Sequence, residues 1–307
     1  MILPDRAIPA LLRATMANAS FVTEAGARRR LRERTLRPAS YGPPRRLRAD
    51  VIISAARDDA GWPIYTVAPR NAPAQGTVIY VHGGGWVNEI SLQHWQLSAQ
   101  IAAEAKTTVQ VIIYPLVPFG TAQQVVDNVA ATALISTRTY GPTVLAGDSA
   151  GGQIVLSTVL QLRDCHGLTL PRTIAISPAV DLSLKNPAIA TVQPTDPWLG
   201  TNGSRVFINL WKDSLDVSNP IVSPINGTME GLGPITLFSG TRDILNPDDR
   251  LYAEKAVKAG VDVEFIQHDG QFHVYPLLPT TVGQEARKKI VGRVREAIAL
   301  EALLGSA

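Results

Sequence analysis

The stretch VLAGDSAGGQIVL, residues 144–156, passes from an apolar run with the character of a strand into one with the character of a helix, and sets Ser149 at the change. Gly147-Asp148-Ser149-Ala150-Gly151 fits G-x-S-x-G, a strained strand-to-helix turn that lifts a serine hydroxyl out of a sheet and tolerates only small neighbours. Ile154, Val155, Leu156, Val159 and Leu160 supply the apolar helix that such a turn requires. Ser149 is therefore the candidate nucleophile.

The same alternation runs outward in both directions. TVIYVHGG (77–84), TVQVIIYP (108–115), RTIAISP (172–178), PITLFSG (234–240) and VEFIQHDG (263–270) are apolar runs separated by longer helical stretches. Leu97, Ile101 and Ala105, like Val125, Val129 and Leu134, have helical spacing. Runs of Val, Ile and Leu without strict alternation fit a parallel sheet covered on both faces. DVIIS (50–54) and WPIYTVAPR (62–70), divided by Asp58, Asp59 and Gly61, read as an antiparallel hairpin that opens the sheet. The expected fold is α/β: a mostly parallel open sheet with helices on both faces, in a single domain spanning 1–307.

A serine hydroxyl needs a base to take its proton and a carboxylate to orient that base. On this fold the order along the chain is Ser, then Asp or Glu, then His. His82 and His94 precede Ser149, and His166 lies in the helix after it, which leaves His268 and His273. His268 falls inside the last apolar run, whereas His273 lies just beyond it, so His273 is favoured. Asp243 follows LFSGTRD after a glycine turn, thirty residues before His273. Asp248 and Asp249 fit the start of the next helix, where carboxylates complement the helix dipole. Asp148 reads as a loop tie, and His82 as a loop organiser. Amides of His82-Gly83-Gly84-Gly85-Trp86, after the strand TVIYV, together with Ala150, are the expected donors to an oxyanion.

Two parts fit the alternation poorly, the first 45 or so residues and the segment from about Lys185 to Ser223. Long insertions of this kind tend to be lids or binding loops. Nine arginines between Arg28 and Arg48 face the single acid Glu33, although the net charge is only +3. Such a run is usually a solvated helix face, its stems over apolar surface, and no nucleic-acid motif accompanies it. It also allows peripheral contact with anionic membrane, without stable insertion. Pro4, Asp5, Arg6 and Pro9 interrupt any signal-peptide core, and no window has roughly 18 uninterrupted apolar residues, so a cytoplasmic location is expected. The lone Cys165 allows no internal disulfide and no zinc cluster.

With HGGGW and GDSAGG about sixty-five residues apart, the sequence resembles the hormone-sensitive lipase family of α/β-hydrolases, the bacterial family IV esterases. Tyr114-Pro115-Leu116-Val117-Pro118 is similar to its Y-R-L-A-P segment, Ser177-Pro178 and 219–224 to its later loops, and Gly240 to Leu245 to its G-x-x-D-x-L acid motif. The resemblance implies an eight-stranded α/β-hydrolase fold with a helical cap from about 1–45 and 185–215. It implies a serine carboxylesterase for short- to medium-chain acyl esters, with Ser149, Asp243 and His273 as catalytic residues. Gly83, Gly84 and Ala150 would form the oxyanion hole, and Trp86, Phe207 and Trp211 the pocket walls. No metal or organic cofactor is expected; the partner is a small-molecule ester, and a homodimer is left open. Pro115, Phe119 and Val274 depart from the family pattern and bear on the shape of the acyl pocket. Two other readings remain, an amidase or arylformamidase with the same triad, and a ligand-binding receptor, against which His273 speaks.

Overall fold

The structure, a computed structural model, describes residues 3–4, 7–14 and 18–304. Residues 1, 2, 5, 6 and 15–17 of the expected cap, and 305–307 of the expected domain, lie outside the described residues.

Helices α1 (Ala7–Ala14), α2 (Ala19–Val22) and α3 (Glu24–Leu36) precede the sheet. Then come β1 (Val51–Arg57), β2 (Pro63–Pro69), β3 (Thr77–Val81), α4 (Leu92–Ala105), β4 (Thr108–Ile112), α5 (Ala122–Tyr140), β5 (Thr143–Asp148), α6 (Ala150–His166) and β6 (Thr173–Ile176). After α7 (Ile189–Val192) and α8 (Thr201–Trp211), the pattern resumes with β7 (Ile235–Gly240), α9 (Asn246–Lys258), β8 (Val263–His268) and α10 (Thr281–Leu304). The eight strands lie in the order β1-β2-β4-β3-β5-β6-β7-β8. β1 and β2 form the antiparallel hairpin, β2 is antiparallel to β4, and β4, β3, β5, β6, β7 and β8 run parallel.

The central strands are buried on both faces, which is why they read as unbroken apolar runs. Along β3, Val78 and Tyr80 pack with α4 and α10 (Leu97, Ile101, Ile290, Val294), while Ile79 and Val81 pack with α5 and α6 (Val125, Val129, Ile154, Val155). The period of two divides one core into two layers. In a parallel sheet all strand ends of one kind lie together, so the loops after β3, β5, β7 and β8, which carry the candidate residues, meet at one edge.

The two poorly fitting segments come together: α2 and α3 pack on α8, with Phe21 edge-on to Phe207 at a centroid distance of 5.9 Å. α1 differs, since Ile8 and Leu12 join the layer of α4 and α10. The arginine run lies on α3 and the loop after it. Arg28, Arg29, Arg30, Arg34 and Arg48 face Glu24, Glu33, Glu33, Glu89 and the Asp50/Glu104 pair respectively. No helix among the described residues is long and apolar enough to cross a membrane.

Candidate active site

Ser149 sits between the end of β5 and the start of α6 with φ 53° and ψ −118°, a conformation that costs a non-glycine residue free energy and persists only where the surroundings hold it. Its N–H donates to Ile176 O at 2.8 Å. Gly151, two residues on, passes so close to β3 that a Cβ would stand 2.0 Å from Val81 O. Glycine there is a packing requirement, and it lets α6 start directly over the sheet edge.

Ser149 Oγ lies 2.8 Å from His273 Nε2, and His273 Nδ1 lies 2.8 Å from Asp243 Oδ2. Asp243 Oδ1 accepts from Leu245 N at 3.0 Å, so both carboxylate oxygens are engaged. With Nδ1–H directed at Asp243, neutral His273 presents the Nε2 lone pair to the serine. Burial disfavours the charged ring, but the negative charge of Asp243, reinforced by Asp196 and Asp148, outweighs it and raises the His273 pKa above the ordinary imidazole value. His268 ends β8, exposed, with Nδ1 turned to Asp269 O.

The oxyanion loop differs from expectation at one residue. Gly83 donates its N–H to Asp148 Oδ1 at 3.0 Å, so it has no free donor to offer, and its assignment to an oxyanion hole is corrected. The amides of Gly84 and Gly85 donate to no acceptor among the described residues. Both glycines line the space beside Ser149. Ala150 opens α6, where a backbone N–H has no partner within the helix.

Asp148 is a buried hub that also accepts from Tyr80 OH at 2.6 Å and lies 3.1 Å from His94 Nε2. Burial pushes its pKa up, but His94 and these bonds prevail and hold the carboxyl below its ordinary value. His82 stacks on Tyr114 at 4.6 Å and donates Nδ1–H to Gly83 O. Burial, with His94 nearby, lowers the His82 pKa to about 4, so the ring is a neutral loop organiser.

Two cavities meet at Ser149. One, of about 40 Å³, is walled by Phe21, Trp86, Leu182, Leu184, Phe207 and Ile208. The other, of about 370 Å³, is lined by His273, Trp198, Leu277, Leu278, Arg30 and Gln93 among others. Trp86 and Phe207 line the smaller cavity, whereas Trp211 lies behind Trp86, its ring stacked at 5.7 Å. Gln153, on α6, holds the pair: its Oε1 accepts from Trp86 Nε1 at 3.2 Å and Trp211 Nε1 at 2.9 Å. Sequence reasoning passed over Gln153, His94 and Asp196, none of which belongs to a motif with a fixed spacing. Among the described residues, no group of three or more His, Cys, Asp or Glu is arranged to hold a metal ion.

Sheet order, serine turn and the meeting of the βα loops at one edge define the class of protein, an α/β hydrolase. A family model described as the alpha/beta hydrolase fold matches residues 78–277, and the chain belongs to that family. It is 32% identical over 238 residues to an acetyl-hydrolase of Streptomyces hygroscopicus, covering 74% of this chain and 77% of that one. It is 30% identical over 223 residues to a triacylglycerol lipase of Mycobacterium tuberculosis, covering 71% of this chain but only 46% of the longer relative. The crystal structure of EstE7, a homologue of hormone-sensitive lipase from a metagenome library, shares the fold with a TM-score of 0.81. That match is 23% identical and covers 97% of this chain and 100% of the other. EstE7 is thus a homologue of the family that HGGGW and GDSAGG resemble.

Proposed function

We propose that the protein is a serine carboxylester hydrolase acting on esters of short acids through an acyl-enzyme. The observation that carries this reading is the line from Ser149 Oγ through His273 to Asp243, with 2.8 Å at each step. His273 takes the hydroxyl proton as Ser149 Oγ attacks the ester carbonyl carbon, and the tetrahedral oxyanion is held by amides of Gly84, Gly85 and Ala150. Asp243 stabilises the imidazolium. His273 then passes the proton to the leaving alkoxy oxygen, the C–O bond breaks, and the acyl group stays on Ser149. Water, deprotonated by the same ring, attacks the acyl carbon and releases the acid, and His273 returns the proton to Ser149 Oγ.

The position of His273 also supports a division of labour between the two cavities. The leaving oxygen must lie within reach of Nε2, so the alcohol belongs in the cavity lined by His273, and the acyl chain in the cavity of about 40 Å³. A water needs roughly 10–15 Å³ on the same measure, so the acyl side has room for about three heavy atoms beyond the carbonyl. This favours acetyl to butyryl esters, the shorter part of the range expected from sequence, and leaves a larger alcohol free to vary. We assign α2, α3 and α8 to the cap over these cavities.

The test is a p-nitrophenyl ester panel from acetyl to palmitoyl, with a matched anilide, on wild type and Ser149→Ala. Turnover should fall steeply beyond about butyryl and vanish in the variant apart from residual catalysis. A Ser149→Ala enzyme as active as wild type would overturn the mechanism, and preference for the anilide would turn the assignment to an amidase.

A further inference from the structure

Asp196 belongs to no motif, yet its carboxylate joins two parts of the site. It lies after the short 3-10 turn Gln193–Thr195, on the segment leading into α8. Oδ1 accepts from Trp198 N at 2.8 Å and Leu199 N at 2.9 Å, which fixes the backbone carrying two walls of the larger cavity. Oδ2 accepts from Ile244 N at 2.9 Å, the residue directly after Asp243. On the other side of Asp243, Arg242 donates to Thr195 O at 3.1 Å through Nη2. The segment 195–199 therefore grips the acid turn from both sides, and Trp198 stands edge-on to His273 with ring centroids 6.0 Å apart.

We propose that Asp196 is a positioning residue of this site, whose carboxylate ties the Trp198–Leu199 wall to the Asp243 turn that holds His273. The inference rests on the reaction proposed above. The carboxylates that act on His273 are Asp243 on the acid turn, Asp148 at the end of β5 and Asp196 itself, while Arg30, Glu89 and His94 line the same cavity; Arg242, half-buried, contacts the segment only at the Thr195 carbonyl. Burial and the neighbouring Asp243 charge push the Asp196 pKa up to about 6 despite three N–H donors. Among the described residues no cation pairs with it, so the imidazolium that forms during turnover is the positive charge it can serve.

Asp196→Asn keeps the volume and an oxygen for Trp198 and Leu199, but removes the charge and sets an amide N–H₂ against Ile244 N–H. Asp248→Asn is the control: Asp248 is another buried carboxylate, bonded to Asn186 and also raised by burial to about 6, and it does not touch the triad. The experiment is the pH dependence of kcat/KM for p-nitrophenyl acetate, with circular dichroism to confirm folding. For Asp196→Asn the acidic limb should move down by about half a unit or more, as expected for loss of a nearby charge. Its kcat/KM on the plateau should fall at least about tenfold through misplacement of the acid turn. Asp248→Asn should leave both unchanged. A folded Asp196→Asn enzyme with an unmoved limb and kcat/KM within about twofold of wild type overturns the proposal. If Asp196→Asn does not fold, Asp196→Glu decides, since the charge stays but the longer side chain breaks the register. A lowered kcat/KM with an unmoved limb is then expected, and wild-type kcat/KM overturns the proposal. A wild type without Ser149-dependent turnover would overturn the reaction and this role together, whereas an active wild type with an unaffected variant removes only Asp196.

Discussion

Replacing Gln153 with leucine isolates one contribution to the wall of the smaller cavity beside Ser149. The amide of Gln153 uses its whole hydrogen-bonding capacity: Oε1 accepts the two indole N–H groups of Trp86 and Trp211, and Nε2 donates to Ser157 Oγ and Ile221 O. Trp86 and Trp211 are 4% and 0% exposed, so water cannot replace the lost acceptor. Leucine has similar volume but leaves two buried donors unpaired, at about 1–3 kcal/mol each, or about 2–6 kcal/mol together. For a chain of 307 residues, an unfolding entropy of about 2.1 cal/mol/K per residue gives roughly 0.6 kcal/mol per degree, so Tm should fall by about 3–9 °C. The assay is scanning calorimetry on Gln153→Leu, Trp211→Phe and the double variant. Trp211→Phe removes one of the two donors, so the double variant should be less destabilised than the sum of the singles by about 1 kcal/mol or more. A Tm for Gln153→Leu within about 1 °C of wild type, or strictly additive effects, would refute the assignment of these bonds as stabilising.

Three further outcomes follow from the site. Asp148→Asn should lose the acceptor for His94 Nε2, at about 1–3 kcal/mol, and lower Tm by about 2–5 °C in calorimetry. Because the Gly83 N–H that anchors the oxyanion loop rests on the same carboxylate, kcat should fall as well, and an unchanged kcat would detach the loop from Asp148. Gly84→Ala places a Cβ 2.6 Å from Asn88 O at a φ of 122°, so the loop must shift; loss of one oxyanion donor predicts a kcat lower by about 10²–10³ in steady-state assays. The raised His273 pKa sets the sign of the pH dependence: the ring is inactive when protonated, and a raised pKa moves that loss to higher pH. The acidic limb of kcat/KM should therefore lie above about 6.5, the unperturbed imidazole value, and a limb well below it would contradict the Asp243 contact.

The sheet was legible because its signal is local. Each parallel strand announces itself as an apolar run and starts within a residue of the run read from sequence, most of them stopping short where the loops begin, whereas the antiparallel β1 runs past the expected 50–54 to Arg57. The order Ser149, Asp243, His273 was legible for a related reason, since each lies just past a strand and parallel strands bring those ends together. The Asp148 hub was legible only as a loop tie. Its partners Tyr80, Gly83 and His94 lie 54 to 68 residues away, and no periodicity connects them. The Gly83 assignment failed for this reason: three successive glycines look alike in sequence, and only the approach of Asp148 shows which amide is already taken. Gln153 and Asp196 escaped notice because a polar residue inside an apolar helix, or within a Pro- and Thr-rich segment, gives no sign of the backbone and indole groups that converge on it. The separate placement of α1 has the same origin, as its apolar stripe fits either a cap or the main core.

The central claim is that Ser149 is the reactive nucleophile, activated by His273. It is tested most directly by exposing the folded enzyme to a serine-directed fluorophosphonate and locating the adduct by peptide mass spectrometry. The account predicts one adduct per chain on the peptide containing Ser149, none in Ser149→Ala, and labelling of His273→Ala slower by orders of magnitude. An unlabelled Ser149 in an enzyme that still hydrolyses short-chain esters would contradict it.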